Sequence, residues 1–282
     1  MSLAHSVVPE AEEILDTEYR VLDKGFVRLV DYMGGDDRIV QAARVSYGAG
    51  TKTVREDRGL INYLMRNRHT SPFEQVVLTF HTKMPIFVAR QWVRHRTARL
   101  NEISGRYSIM EDEFYVPDPA HVSAQSSDNK QGRESEAMPE EAVREVRGKL
   151  ESGQRESYRA YEELIETGLA RELARINLPL SLYTQWYWQI DLHNLFHFLE
   201  LRLDPHAQFE IRAYAEVMCE IAEKVAPLAT AAFREHILGA AHFSAKELAA
   251  LREVAGGASF ESAADAAGIK GKALERFRAK LE

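Results

Sequence analysis

The stretch "RHRTARLNEISGRY", Arg94 to Tyr107, holds four arginines and one histidine against a single acid, Glu102, in a chain of net charge −7. A guanidinium is a fixed cation whose forked donors fit phosphate and carboxylate oxygens. Arg94, His95 and Arg96 fall at the end of a predicted helix, where cations also offset the dipole of the last carbonyls. The residues beyond them are harder to read as capping. Asn101, Glu102 and Ser104 mix donors and acceptors, Gly105 lets backbone approach a ligand closely, and Arg106 adds a further cation. Asn and Ser can read the edge of a heterocycle while Arg106 holds phosphate, so the stretch suits an anionic, nucleotide-like ligand.

A second run, "LHNLFHFLELRLDPHAQFEI", puts His193 and His197 four apart on one helix face, with His206 beyond. It lacks the glutamate of the HExxH pattern and the spacing of a metal site, so no metal is expected. The imidazoles suit aromatic surface or a flat cofactor better. Arg202 closes this helix, where an arginine matching the dipole is the simplest reading. Cys219, the only cysteine, sits among core-facing positions and reads as packing. One cysteine rules out a disulfide or cysteine cluster within the chain and fits a reducing, cytoplasmic setting. No GxSxG, P-loop or Rossmann glycine pattern is present.

Composition narrows the classes. The acidic balance argues against nucleic acid or anionic membrane spread over the whole surface, so the basic patch is a local device. No stretch approaches the ~18 apolar residues of a membrane helix, and "MSLAHSVVPEAEEILD" does not read as a signal peptide.

The elements that must position these residues follow from periodicity. With 282 residues, 45% of them hydrophobic, the chain can bury a sizeable core. Alternation predicts strands at "FVRLVDYM", "QVVLTFHTKM" and the aromatic "SLYTQWYWQID", with a short one at "EFYV". Helical spacing predicts "DDRIVQAARVSY", capped by Asp36 or Asp37, and "REDRGLINYLMRNRH", the two separated by a break at "GAGTKT". "TSPFE" reads as a helix start with Ser71 capping and Pro72 in the first turn. "PIFVARQWVRHR" predicts a helix with Ile86, Ala89 and Val93 on one side. A long helix is expected from about 140 to 167, a short one at "RELARINLPL", and amphipathic helices at "LHNLFHFLELRL" and "HAQFEIRAYAEVMCEIAEKV". Pro117–Glu141 is rich in polar and turn-forming residues and reads as a mobile loop. Residues 1–20 read as a loose tail, 21–242 as the main domain, and 243–282 as a helical appendage in three short pieces.

"RHRTARLNEISGRYS" resembles the RHRxxSxNExSxRY signature of the flavin-dependent thymidylate synthases. "LDKGFVRLVDYMG", "AARVSYG", "HTSPFEQ", "PIFVARQWVRHR", "ARINLPL" and "LRLDPHAQFEIR" resemble that family too, over about residues 22 to 237. One departure stands out: the signature's first serine is Arg99 here. The resemblance implies an α+β fold, a mixed α/β domain with a small antiparallel sheet flanked by helices, assembled as a homotetramer with shared sites. It implies methylation of dUMP with methylenetetrahydrofolate as carbon donor and FAD reduced by NADPH. Carried over by position, it puts Arg94, His95, Arg96, His69, Ser71, Glu102, Asp191, Leu192, His193 and His197 on FAD. It puts Gln91, Trp92, Val93, Arg94, Glu102, Ile103, Ser104, Gly105, Arg106, Arg175 and Arg202 on dUMP, with Arg202 as the catalytic residue. An arginine keeps its proton, so Arg202 would stabilise negative charge on the pyrimidine. Ser104 lacks an evident activating base and reads as a substrate donor. Two further readings stay open: a flavoprotein reductase without methyl transfer, with Arg99 the suspect, and DNA binding through the basic stretch Lys270 to Lys280.

Overall fold

The computed structural model describes residues 6–45, 54–127 and 132–281, and the chain divides into two compact units, Met1–Phe233 and Arg234–Glu282. The expected break at "GAGTKT" lies outside the described residues. The first unit is mixed α+β around a five-stranded antiparallel sheet. In chain order it contains α1 (Pro9–Glu12), β1 (Glu18–Val21), β2 (Gly25–Met33), α2 (Asp36–Arg44), α3 (Val54–Arg66), β3 (Val77–Pro85), α4 (Ile86–Trp92) and β4 (Arg99–Glu102). A small hairpin follows, β5 (Ser123–Gln125) with β6 (Arg133–Ala137). After it come α5 (Glu140–Glu166), α6 (Arg171–Ala174), β7 (Tyr183–Asp191), α7 (Leu192–Arg202), α8 (Phe209–Val225) and α9 (Pro227–Phe233). The sheet order is β1-β2-β3-β7-β4. No helix of the described residues is long and apolar enough to cross a membrane.

The middle of the sheet is the β3–β7 pair, nine residues on each strand in unbroken register from Val77 opposite Asp191 to Pro85 opposite Tyr183. Alternate residues face opposite sides. Leu78, Phe80, Thr82 and Met84 of β3 and Thr184, Trp186, Trp188 and Ile190 of β7 are buried on the core face. The other face carries His81 stacked on Tyr187, the rings 4.8 Å apart. Trp92 of α4 lies over the core face with no exposed surface. Its ring meets Trp186, Trp188, Phe198 and Tyr214 at centroid separations of 5.0–5.8 Å. Truncating such a side chain typically costs ~3–5 kcal/mol.

The sequence reading and the structure part company at several places. β4, inside the basic stretch, is an edge strand on β7. The buried face of α4 is Val88, Ala89 and Trp92, and Val93 is half exposed, because this helix packs its Trp92 edge onto the sheet. Residues 6–20 are not loose: Ala11 is fully buried, and the Tyr32 hydroxyl donates to Glu12 and accepts from the Val8 amide. "EFYV" makes only an isolated bridge, Phe114 opposite Leu182. Within Pro117–Glu141, a 3-10 turn and the β5–β6 hairpin form, held by Arg133; residues 128–131 lie outside the described residues. Gly35 caps α2, while Asp36 accepts from the amides of Leu228 and Ala229 at the start of α9. Ser71 makes no capping bond, and Pro72 leads instead into a 3-10 turn, Phe73–Gln75.

The second unit contains α10 (Ala245–Ala255), α11 (Phe260–Ala266) and α12 (Lys272–Ala279), packed around Ala250, Ala263, Ala264 and Phe277. Ser244 and Glu247 form a capping box at α10. Much of its basic charge is spent internally: Lys270 pairs with Asp265, Arg278 with Glu261, and Lys280 with Glu247. The expectation of DNA binding from this basic run therefore loses three of its cations to neighbouring acids.

Gly25 opens β2 where a Cβ would sit 2.0 Å from the Tyr214 hydroxyl and 2.7 Å from the Lys83 carbonyl oxygen. Gly25→Ala is expected to destabilise the first unit by at least ~2 kcal/mol, read as a lower urea midpoint.

Candidate functional site

Arg202 and His95 meet at the centre of the candidate site. Arg202 ends α7, and its Nε donates to His95 Nε2 at 3.1 Å, while its Nη2 reaches the Gln91 carbonyl oxygen at 3.4 Å. His95 lies three residues past the end of α4, held by its amide on the Trp92 carbonyl oxygen. An Nε2 that accepts a hydrogen bond cannot carry a proton, so the neutral ring keeps its hydrogen on Nδ1. Burial, the Arg202 guanidinium beside it and His197 pull the His95 pKa down to about 4. Burial also lowers the Arg202 pKa, yet an arginine in a protein stays protonated. Among the described residues no carboxylate pairs with Arg202, so its charge faces only neutral acceptors. The His95 ring also meets Phe198 at 4.9 Å and His197 at 6.1 Å, edge to face.

The basic stretch splits at β4. Arg99 stands opposite Gln189 and Asn101 opposite Tyr187, whereas Leu100 and Glu102 stand opposite Trp188 and Trp186. Arg99 thus projects from the face away from Glu102, exposed and without a polar partner among the described residues. Thr184 donates to Glu102 at 2.6 Å and orients that carboxylate. The Ile103 amide continues the edge onto the Gln185 carbonyl oxygen. A turn follows, in which the amides of Tyr107 and Ser108 donate to the Ser104 carbonyl oxygen. Ser104 Oγ accepts from the Arg106 amide at 3.3 Å, and among the described residues no histidine or carboxylate bonds to it.

This turn packs on the α6 segment. A Cβ on Gly105 would lie 3.0 Å from Arg175 Cδ, so the glycine is what lets Arg175 lie alongside. Arg106 pairs with Glu172, and Arg171 donates to the Tyr107 carbonyl oxygen. Arg94, Arg96 and Arg175 have no polar partner among the described residues. Half-buried or exposed guanidiniums without acids are what an anionic ligand would neutralise.

Other residues singled out from sequence hold different places. Trp92 is wholly inside the aromatic core, so only its backbone is left to meet a ligand. Leu192 is likewise buried, its amide on the Val76 carbonyl oxygen. Both oxygens of Asp191 are engaged by Asn194, backbone and side chain, as the cap of α7. His193 is half buried, and His197 is exposed near Glu200 at 3.8 Å. His69 and Ser71 sit together on the surface after α3, with the His69 ring 5.7 Å from Tyr63. Sequence reasoning missed Thr184, Gln208 and Glu210, which reach the site by tertiary contact and carry no local signal.

Residues 28–228 match the family model "Thymidylate synthase complementing protein", and residues 241–282 match "Thymidylate synthase ThyX C-terminal domain". A flavin-dependent thymidylate synthase of Treponema denticola is 64% identical over 95% of this chain and 98% of that protein. One from Thermus thermophilus is 58% identical over 93% of this chain and 94% of that protein. The crystal structure of the UMP/dUMP methylase PolB from Streptomyces cacaoi, bound with 5-Br dUMP, superposes with a TM-score of 0.71. It is 33% identical and covers 78% of this chain and 98% of that one.

A histidine whose pKa is lowered on folding favours the folded state above its unfolded pKa, near 6.5, and that contribution is lost as pH falls toward about 4. The His95 ring is expected to stay neutral down to about pH 4 in a histidine NMR titration. Its midpoint should rise in Arg202→Met, where the cation is gone and burial remains.

Proposed function

The chain belongs to the flavin-dependent thymidylate synthase family, and on that footing we propose that it methylates dUMP to dTMP. In this reading the carbon comes from 5,10-methylenetetrahydrofolate, and NADPH reduces a bound FAD. The observation that carries the reading is the uncompensated charge of Arg202, held between His95 and the Gln91 carbonyl oxygen. Attack by uracil C5 needs electron density pushed toward that carbon, which negative charge on the pyrimidine provides. A fixed cation placed before that charge develops costs little reorganisation.

The residues present fit a flavin. His95 and His197 offer flat rings, and Arg94 and Arg96 offer cations with no acid partner among the described residues, suited to a pyrophosphate. In this proposal His69, Ser71, Arg94, His95, Arg96, Glu102, Asp191, Leu192, His193 and His197 hold the FAD, with Leu192 contributing backbone or packing. Bound and reduced, it supplies the hydride that turns a transferred methylene into methyl.

The rest is done by side chains of this chain. Arg106 and Arg175 take the dUMP phosphate across the Gly105 turn, where the glycine leaves room for the Arg175 side chain. Glu102, pinned by Thr184, and the Ser104 hydroxyl, whose oxygen already accepts from Arg106, orient the nucleoside. Gln91, Ile103 and the backbone of Trp92 and Val93 complete the dUMP surface, with Arg94 at its junction with the flavin. Arg202 stabilises the pyrimidine charge. Cys219 is buried on α8 and takes no part.

We place these sites between copies of the chain in a cytoplasmic homotetramer. Supporting this, Ile103, Tyr107, Ile109, Leu173 and Ile176 are large apolar side chains between 41% and 74% exposed beside the unpaired cations.

The purified protein is expected to absorb as an oxidised flavin, to bleach with NADPH, and to form dTMP once dUMP and methylenetetrahydrofolate are added. Bleaching without dTMP would favour a reductase. Arg202→Ala should keep the flavin and lower dTMP formation by ~10²-fold or more, in line with loss of a charge-stabilising donor. Ser104→Ala should weaken dUMP yet retain turnover; complete inactivity at normal dUMP affinity would make Ser104 a nucleophile.

A further inference from the structure

Behind the site lies a polar relay. Glu210, on the first turn of α8, is 3% exposed. Its carboxylate accepts from Arg133 Nη2 at 3.0 and 3.1 Å, from the Tyr115 hydroxyl at 3.1 Å and from Gln208 Nε2 at 2.8 Å. Burial and the Glu210 charge push the Tyr115 phenol above its ordinary pKa, so Tyr115 remains a donor. Gln208 Oε1 then accepts from Gln91 Nε2, across 117 positions of sequence.

The direction of this chain is forced by its first member. A carboxylate paired with a guanidinium can only accept. Gln208 must therefore turn its NH2 toward Glu210 and its oxygen toward Gln91. That oxygen can only accept, so Gln91 must turn its own NH2 inward. Gln91 Oε1 is left with no partner among the described residues, and the Gln91 carbonyl oxygen meanwhile receives Arg202.

We propose that Glu210 is a positioning residue: through Gln208 it fixes the Gln91 amide so that the substrate site presents an acceptor, selecting a nucleotide that offers a donor there. The candidate donors are the sugar 3′-hydroxyl and the uracil N3–H. This rests on reading Gln91 as a dUMP contact. A carboxylate is what makes the choice one-way, because an amide in its place can present either end and let the whole relay reverse.

The test uses the flavin-loaded enzyme and titrates dUMP, N3-methyl-dUMP and 2′,3′-dideoxyuridine monophosphate against flavin absorbance. Gln208→Met breaks the relay at an exposed position and leaves Glu210, Arg133 and Tyr115 together; Glu210→Gln removes its direction. Both should weaken dUMP about tenfold, with the Gln208→Met melting temperature unchanged. The unaltered enzyme should reject one of the two analogues, and Gln208→Met should lose that rejection, a coupling that a merely structural role would not produce. Unchanged dUMP affinity and unchanged analogue ratios in Gln208→Met overturn the proposal, whether or not Glu210→Gln folds. If Gln91→Ala also binds dUMP normally, the fault lies in the reading of Gln91 itself.

Discussion

Arg202 donates to the Nε2 lone pair of His95, and that contact requires the imidazole to be neutral. Two cations at hydrogen-bond distance in a half-buried setting would repel strongly, since charges interact more in low dielectric than in water. A neutral His95 can accept from Arg202 and yet leave the guanidinium charge uncancelled. An aspartate in place of His95 would have held the arginine as firmly and cancelled it. The fold therefore chooses a neutral acceptor over an ionic one, and chooses the Gln91 carbonyl oxygen as the second. The guanidinium is fixed in direction without being neutralised.

Several layers of structure converge on that geometry. α4 and α7 both follow directly from the two central strands, α4 from β3 and α7 from β7. Their register is set by nine consecutive cross-strand pairs. Trp92 then locks the end of α4 against β7 and α7 at once, through Trp186, Trp188 and Phe198. Because close-packed interiors transmit displacement and do not absorb it, the residues just past Trp92 inherit its position. His95 is three residues on. The aromatic core is in this sense part of the polar site.

Much of the framework was legible in the sequence. β2, β3 and β7 announce themselves by alternation, and α5, α7 and α8 by helical spacing, because each packs one face against apolar partners. β4 did not: "RLNE" has a polar, strand-neutral composition and becomes a strand because the β7 edge is there to pair with. The β5–β6 hairpin was hidden for a similar reason, since Arg133 is anchored by Glu210 from a distant helix. In the site, Arg94, Arg96 and Arg106 could be picked out by local charge, whereas Arg175 and Arg202 were reached only through the family resemblance. The capping of α7 by Asp191 could not be read from the sequence, because capping and ligand binding use the same oxygens. Thr184, Gln208 and Glu210 gave no signal, as each acts through a partner far away in the chain.

The edge-strand setting of the basic stretch has a consequence for how such a segment can change. Along β4 the two sides of the sheet are served in turn, Arg99 and Asn101 on one and Leu100 and Glu102 on the other. Exchanging one residue for another alters one side only, and a foreign residue such as Arg99 is accommodated where it stands. Gaining or losing a single residue between Arg99 and Glu102 would instead transpose every later side chain to the wrong side of the sheet. The spelling of this stretch is therefore free to drift while its length is not.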